Sequence, residues 1–88
     1  MRIVLGKLEN RVDEIQAYIK EMGLFVYDEC YFNEEKSILI SEDEEEVAFF
    51  ESLGGNFILM PSENNSNKAI TKPLEYLRMR LDDLLSTT

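Results

Sequence analysis

The sequence predicts one small α+β domain, on three observations. Short runs rich in branched and aromatic residues are interleaved with segments of helical periodicity, glycines fall where those helices should stop, and the apolar residues suffice for one core. Eighty-eight residues lie near the size at which a single core becomes marginal, while 44% hydrophobic content with nine aromatics favours folding over a disordered acidic tail. Residues 1–88 are therefore read as a single domain, without internal repeats or a dividing linker.

Arg2 to Leu5 is a short apolar run ending at Gly6, consistent with a first strand. From there Leu8, Val12, Ile15, Ile19 and Met22 share one helix face, and Gly23 follows as the stop. "LFVYDECYF", Leu24 to Phe32, is rich in aromatic and branched residues and lacks helix caps, which suits a strand. Asn33 to Glu35 make a polar turn into "KSILI", Lys36 to Ile40, and the pair reads as a hairpin.

Ser41 with Glu44 three residues later has the capping-box form. Val47, Phe50 and Leu53 then share a face, and Gly54-Gly55 end that helix. "NFILM" before Pro61 reads as a last strand, because proline cannot donate to a ladder. Ser62 to Ala69 is a polar loop with no apolar anchor. Thr71 is placed to cap a final helix with Pro73 in its first turn and Leu74, Leu77, Leu81 and Leu84 or Leu85 as its buried stripe. The order β-α-β-β-α-β is that of a ferredoxin-like sheet, here with an added C-terminal helix.

Alternation in the second strand turns Leu24, Val26, Cys30 and Phe32 one way and Phe25, Tyr27 and Tyr31 the other, so both faces are apolar. In ferredoxin-like folds two helices cover one face. The other must be covered by the C-terminal helix, the preferred reading, or by a second copy of the chain in a homodimer.

The net charge of −9 is unevenly placed. Residues 21–67 hold twelve acids and one base, Lys36, a net of −11, whereas the rest of the chain is slightly basic. Such a field repels nucleic acid and anionic membranes and attracts basic proteins. "SEDEEE" concentrates it. Acids in a first helical turn complement the helix dipole, but five in succession point all round the helix and repel one another, which suggests a use beyond stability. An unbroken acidic helical run carries a charge every ~1.5 Å, close to the ~1.7 Å of duplex DNA. Glu42, Asp43, Glu44, Glu45, Glu46 and Glu51, extended by Asp28, Glu29, Glu34 and Glu35, are thus candidate stand-ins for phosphates at a partner-binding surface.

Enzyme classes find little footing. Histidine is absent, which removes the commonest general base and the Ser-His and Cys-His nucleophile pairs. GxGxxG, GxxxxGKS and HExxH do not occur, and "SEDEEE" lacks the ligand spacing and central glycine of an EF-hand loop. Cys30 is the single cysteine, consistent with a reducing compartment and a buried thiol, and gives no disulfide framework or zinc cluster. No run approaches the ~18 apolar residues of a membrane span, and "MRIVLGKLENRVDE" turns polar too early for a signal peptide. No catalysis, cofactor or metal is expected, and a cytoplasmic location is. Sheet aromatics suggest RNA stacking, but the adjoining charges are negative and no RNP-type string occurs.

In its small size, strong acidity, lack of histidine and "SEDEEE" cluster, the chain resembles the small early host-takeover proteins of lytic phages that infect Gram-positive bacteria. Among these it is similar in character to acidic DNA mimics that inhibit the nucleoid protein HU, and acidic anti-CRISPR proteins share that character. The resemblance implies an acidic homodimer occupying the DNA-binding surface of a basic host protein, HU the leading candidate, in the cytoplasm of the infected cell. Lysines and arginines near both termini depart from a uniformly acidic mimic. The alternatives are a structural or regulatory dimerisation module working through the aromatic sheet face, and an inhibitor of a nucleic-acid enzyme.

Overall fold

The computed structural model describes residues 2–27, 37–62 and 72–86. Within them lie strand β1 (Arg2–Leu5), a 3-10 turn (Glu9–Arg11) leading into helix α1 (Val12–Glu21), and strand β2 (Val26–Tyr27). Strand β3 (Ser37–Ser41), helix α2 (Glu44–Ser52), strand β4 (Asn56–Leu59) and helix α3 (Pro73–Ser86) follow. Gly23 and Gly54 end α1 and α2 at φ +80° and +87°, the left-handed conformation that glycine adopts without steric cost.

The mixture of α and β elements is as predicted; the sheet is not the ferredoxin-like one. β1, β3 and β4 form a small parallel sheet, extended beyond β1 by the two-residue β2, in the order β2-β1-β3-β4. β1 pairs in parallel with both neighbours, Val4 opposite Tyr27 on one side and Leu39 on the other. β2 and β3 are therefore not a hairpin: β1 stands between them. The nominated turn, Asn33 to Glu35, and the end of the expected second strand, Cys30, Tyr31 and Phe32 included, lie outside the described residues, as do Thr71 and the loop beyond Ser62.

The strands carry the signature of parallel pairing. Every residue of β3 is buried, because helices cover both faces, and a doubly covered strand reads as a continuous apolar run. Ile3, Ile38, Ile40 and Ile58 face α1 and α3, where Ile15, Ile19, Leu77 and Leu81 complete the larger core cluster. Val4 and Leu39 face the other way, onto Val47 and Phe50 of α2, with Phe57 and Leu59 alongside. The second face is thus covered by α2, not by the C-terminal helix or a second copy. α3 joins α1.

The physical reason lies in the two βαβ units. β1-α1-β2 moves outward in one direction from the sheet centre and β3-α2-β4 in the other. Units of one hand that run in opposite directions place their helices on opposite faces.

Candidate functional site at the carboxyl edge of the sheet

Parallel strands end on a common edge, and the connections leaving β1 and β3 diverge there. In open parallel sheets the crevice at such a divergence is where ligands bind, because the separating loops leave a gap. This chain has one in that place: a crevice of about 430 Å³ lined by Lys7, Glu9, Glu42, Asp43, Glu44, Glu45 and Ser62.

The edge is held together by backbone hydrogen bonds between the three segments. Gly6 N–H donates to Ile40 O at 2.9 Å, Glu42 N–H to Lys7 O at 2.8 Å, and Met60 N–H to Ser41 O at 2.7 Å. Glu46 reaches back from α2 and accepts from Lys7 N–H at 3.0 Å. That approach requires Gly6, since a Cβ there would run into the Glu46 Oε1 and sit 3.1 Å from Leu39 Cδ1. The chain then turns through Glu9, a non-glycine residue at φ +52°, an uncommon conformation that places a carboxylate on the crevice wall.

The helix start differs from the expected capping box. Ser41 is the last residue of β3, and its hydroxyl accepts from Asp43 N–H at 3.0 Å. The N-cap of α2 is Asp43, whose Oδ1 accepts from Glu45 N–H at 2.9 Å and Glu46 N–H at 3.5 Å. Aspartate is as good an N-cap as serine, and shifting the cap two residues lets Ser41 complete the buried strand. Asp43 Oδ2 also pairs with Lys7 Nζ at 3.1 Å. The Lys7 ammonium and the Glu45 N–H hold the Asp43 carboxyl below its ordinary range, and Asp43 in turn raises Lys7.

Glu42 behaves differently. Its side chain is 5% exposed, and Arg11 Nη1 donates to its Oε1 at 3.2 Å while also donating to Pro61 O at 3.0 Å. Burial pushes the Glu42 carboxyl up, opposed by the charge of Arg11. Three successive acids therefore occupy three environments: interior, cap and surface.

The ten acids nominated from the sequence accordingly divide. Glu42 is buried, Asp43 caps α2, and Glu46 is half-buried against Lys7. Glu44, Glu45 and Glu51 are exposed. Asp28, Glu29, Glu34 and Glu35 lie outside the described residues. The structure adds Lys7, Glu9 and Arg11, none of which was singled out, and Ser62, which the sequence marked only as the start of a polar loop. A strand-ending glycine before Lys7 was the available signal, but it gains meaning only once β1 is known to neighbour β3 in parallel.

No protein-family model, curated protein or solved structure gives a match to this chain. Among the described residues no cluster of acids or cysteine is arranged to hold a metal ion, and no helix is long and apolar enough to cross a membrane. What the crevice offers chemically is an anionic receptor with one internally paired ammonium at its rim.

Proposed function

We propose that this protein is a non-enzymatic acidic binding module that takes cationic side chains of a basic DNA-binding protein at the carboxyl-edge crevice and the α2 N-terminus. HU is the leading candidate partner, and obstruction of its DNA-binding surface the mode of action. The supporting observation is the crevice lining, five carboxylate residues against a single lysine that already pairs with Asp43. A concave site of one sign concentrates the field, so an incoming lysine or arginine meets the exposed carboxylates of Glu9, Glu44 and Glu45.

The internal commitments narrow the mimicry. Glu42, Asp43 and Glu46 are buried or half-buried and bonded within the fold, and the exposed candidates for phosphate stand-ins among the described residues are Glu44, Glu45 and Glu51. The reading asks of Asp28, Glu29, Glu34 and Glu35 that they extend the same row. An inhibitor of a nucleic-acid enzyme would use the same surface. The dimerisation module has less support, since helices occupy both faces of the sheet it was to work through.

The test is displacement of a labelled duplex from purified HU, followed by fluorescence anisotropy between about 50 mM and about 300 mM salt, a range over which charge-driven binding falls steeply. The expected result is displacement at low salt that fades as salt rises. Glu44→Gln, Glu45→Gln and Glu51→Gln together should weaken it at least about tenfold with unchanged circular dichroism. Undiminished displacement by the triple variant, or none by the parent, would remove the reading.

A further inference from the structure

The solvent side of α2 mixes carboxylates, Glu44, Glu45 and Glu51, with large apolar side chains. Its buried side is Val47 and Phe50, yet Phe49 is 66% exposed and Leu53, one turn on, is 42% exposed. Around them lie Glu45, one turn before Phe49, and the small exposed residues Ala48 and Ser52. The Ser52 hydroxyl donates to Phe49 O at 2.6 Å, which turns it onto the backbone and away from a ligand. α1 exposes mainly polar residues, Asp13, Glu14, Lys20 and Glu21, with Val12 at 37% its one large apolar side chain in the open.

We propose that this outer face of α2 docks a basic amphipathic helix of the partner protein, with an apolar side chain set on Phe49 and Leu53 and a lysine or arginine one turn away on Glu45. The inference rests on the acidic-module reading and adds to it a component that salt does not screen. The two parts are continuous, because Glu45 belongs both to the crevice wall and to the row Glu45, Phe49, Leu53. Successive members of that row are separated by about 6 Å of helix rise, the spacing at which a facing helix presents side chains one turn apart.

Charge selects the occupant. A second copy of a chain of net −9 would bring Glu45 and its neighbours against like charge, and an anionic lipid surface would be repelled in the same way. A partner helix that is basic around an apolar anchor gains on both counts. It also accounts for two large apolar side chains placed beside carboxylates, where a purely electrostatic DNA mimic has no use for them.

Two designed helical peptides of about 14 residues test this, one with leucine and lysine on a shared face and one with its leucines changed to serine at equal charge. Their affinities for the full chain are measured by titration calorimetry at low salt and at about 0.5 M salt. The leucine peptide is expected to bind about tenfold more tightly at high salt. Phe49→Ser with Leu53→Ser should erase that preference while leaving the serine peptide's low-salt binding unchanged. Equal binding of both peptides, or a preference that survives the double variant, overturns the docking face and leaves the acidic module standing. Failure of both peptides to bind at low salt overturns both. A parent chain that sediments as a dimer, and as a monomer after the double substitution, would show the face to be a contact between copies and overturn the inference.

Discussion

Arg11 and Glu42 show how a single pairing changes the meaning of a charge. A buried carboxylate is tolerated where a cation compensates it, and removal of that cation leaves an uncompensated charge in the interior. Arg11→Leu is expected to destabilise the fold by about 2–4 kcal/mol near neutral pH, read from urea unfolding. The loss should depend on pH in a stated direction. Burial raises Glu42 in the folded state, so its contribution is fully present below its ordinary value of 4.5 and declines as pH rises through the folded value. Without Arg11 the folded value moves higher still. The gap between variant and parent should therefore be smaller at pH about 4 than at pH about 7.5; an equal gap at both would mean that Glu42 is not the group left exposed to the loss. Asp43 has the opposite sign: its lowered carboxyl stabilises above its ordinary value of 3.8 and loses that contribution as pH falls through the folded value.

Among the elements, the junction of β1 with α2 is the most exacting. Gly6 leaves room for Glu46 to accept from Lys7 N–H, so Gly6→Ala forces that carboxylate away. The substitution is expected to cost about 1–2 kcal/mol, the scale of one lost hydrogen bond with a crowded neighbour. Glu46→Ala should reduce that cost when combined with it, and a double-mutant cycle in urea measures the coupling. Additive effects would mean that the two residues do not meet. Element positions were largely legible: Arg2–Leu5, the helix ending at Gly23, the helix ending at Gly54 and the leucine stripe of α3 all stand where periodicity and glycine placed them. The cap of α2 was not, because Ser41 and Asp43 are both good caps and only the need to complete a buried strand decides between them.

For the whole molecule, stability rests on two apolar layers, one on each face of the sheet. Leu81 is fully buried in the larger cluster, and Leu81→Ala should cost about 2–4 kcal/mol by removing contacts that join α3 to the sheet. A loss well under 1 kcal/mol would place α3 outside the cooperative unit. The strand order went unread because the polar stretch Asn33 to Glu35 suits a hairpin turn and the expected antiparallel sheet needed one. The stronger clue was the run "ILI", Ile38 to Ile40, apolar at three successive positions, which a strand with one solvated face does not require.

Local chemistry in the chain determined where strands and helices lie, where the helices stop and that the middle of the chain carries the negative charge. These depend on residues within one or two turns of one another. The tertiary structure alone decided that β1 neighbours β3 in parallel, that α2 covers the second face, and that Glu42 goes inside while Glu44 and Glu45 stay out. Each of those outcomes depends on partners far away in the chain, such as Arg11 and Glu42 separated by 31 positions. Proximity of that kind arises only when the strands have assembled, and no local pattern of residues encodes it.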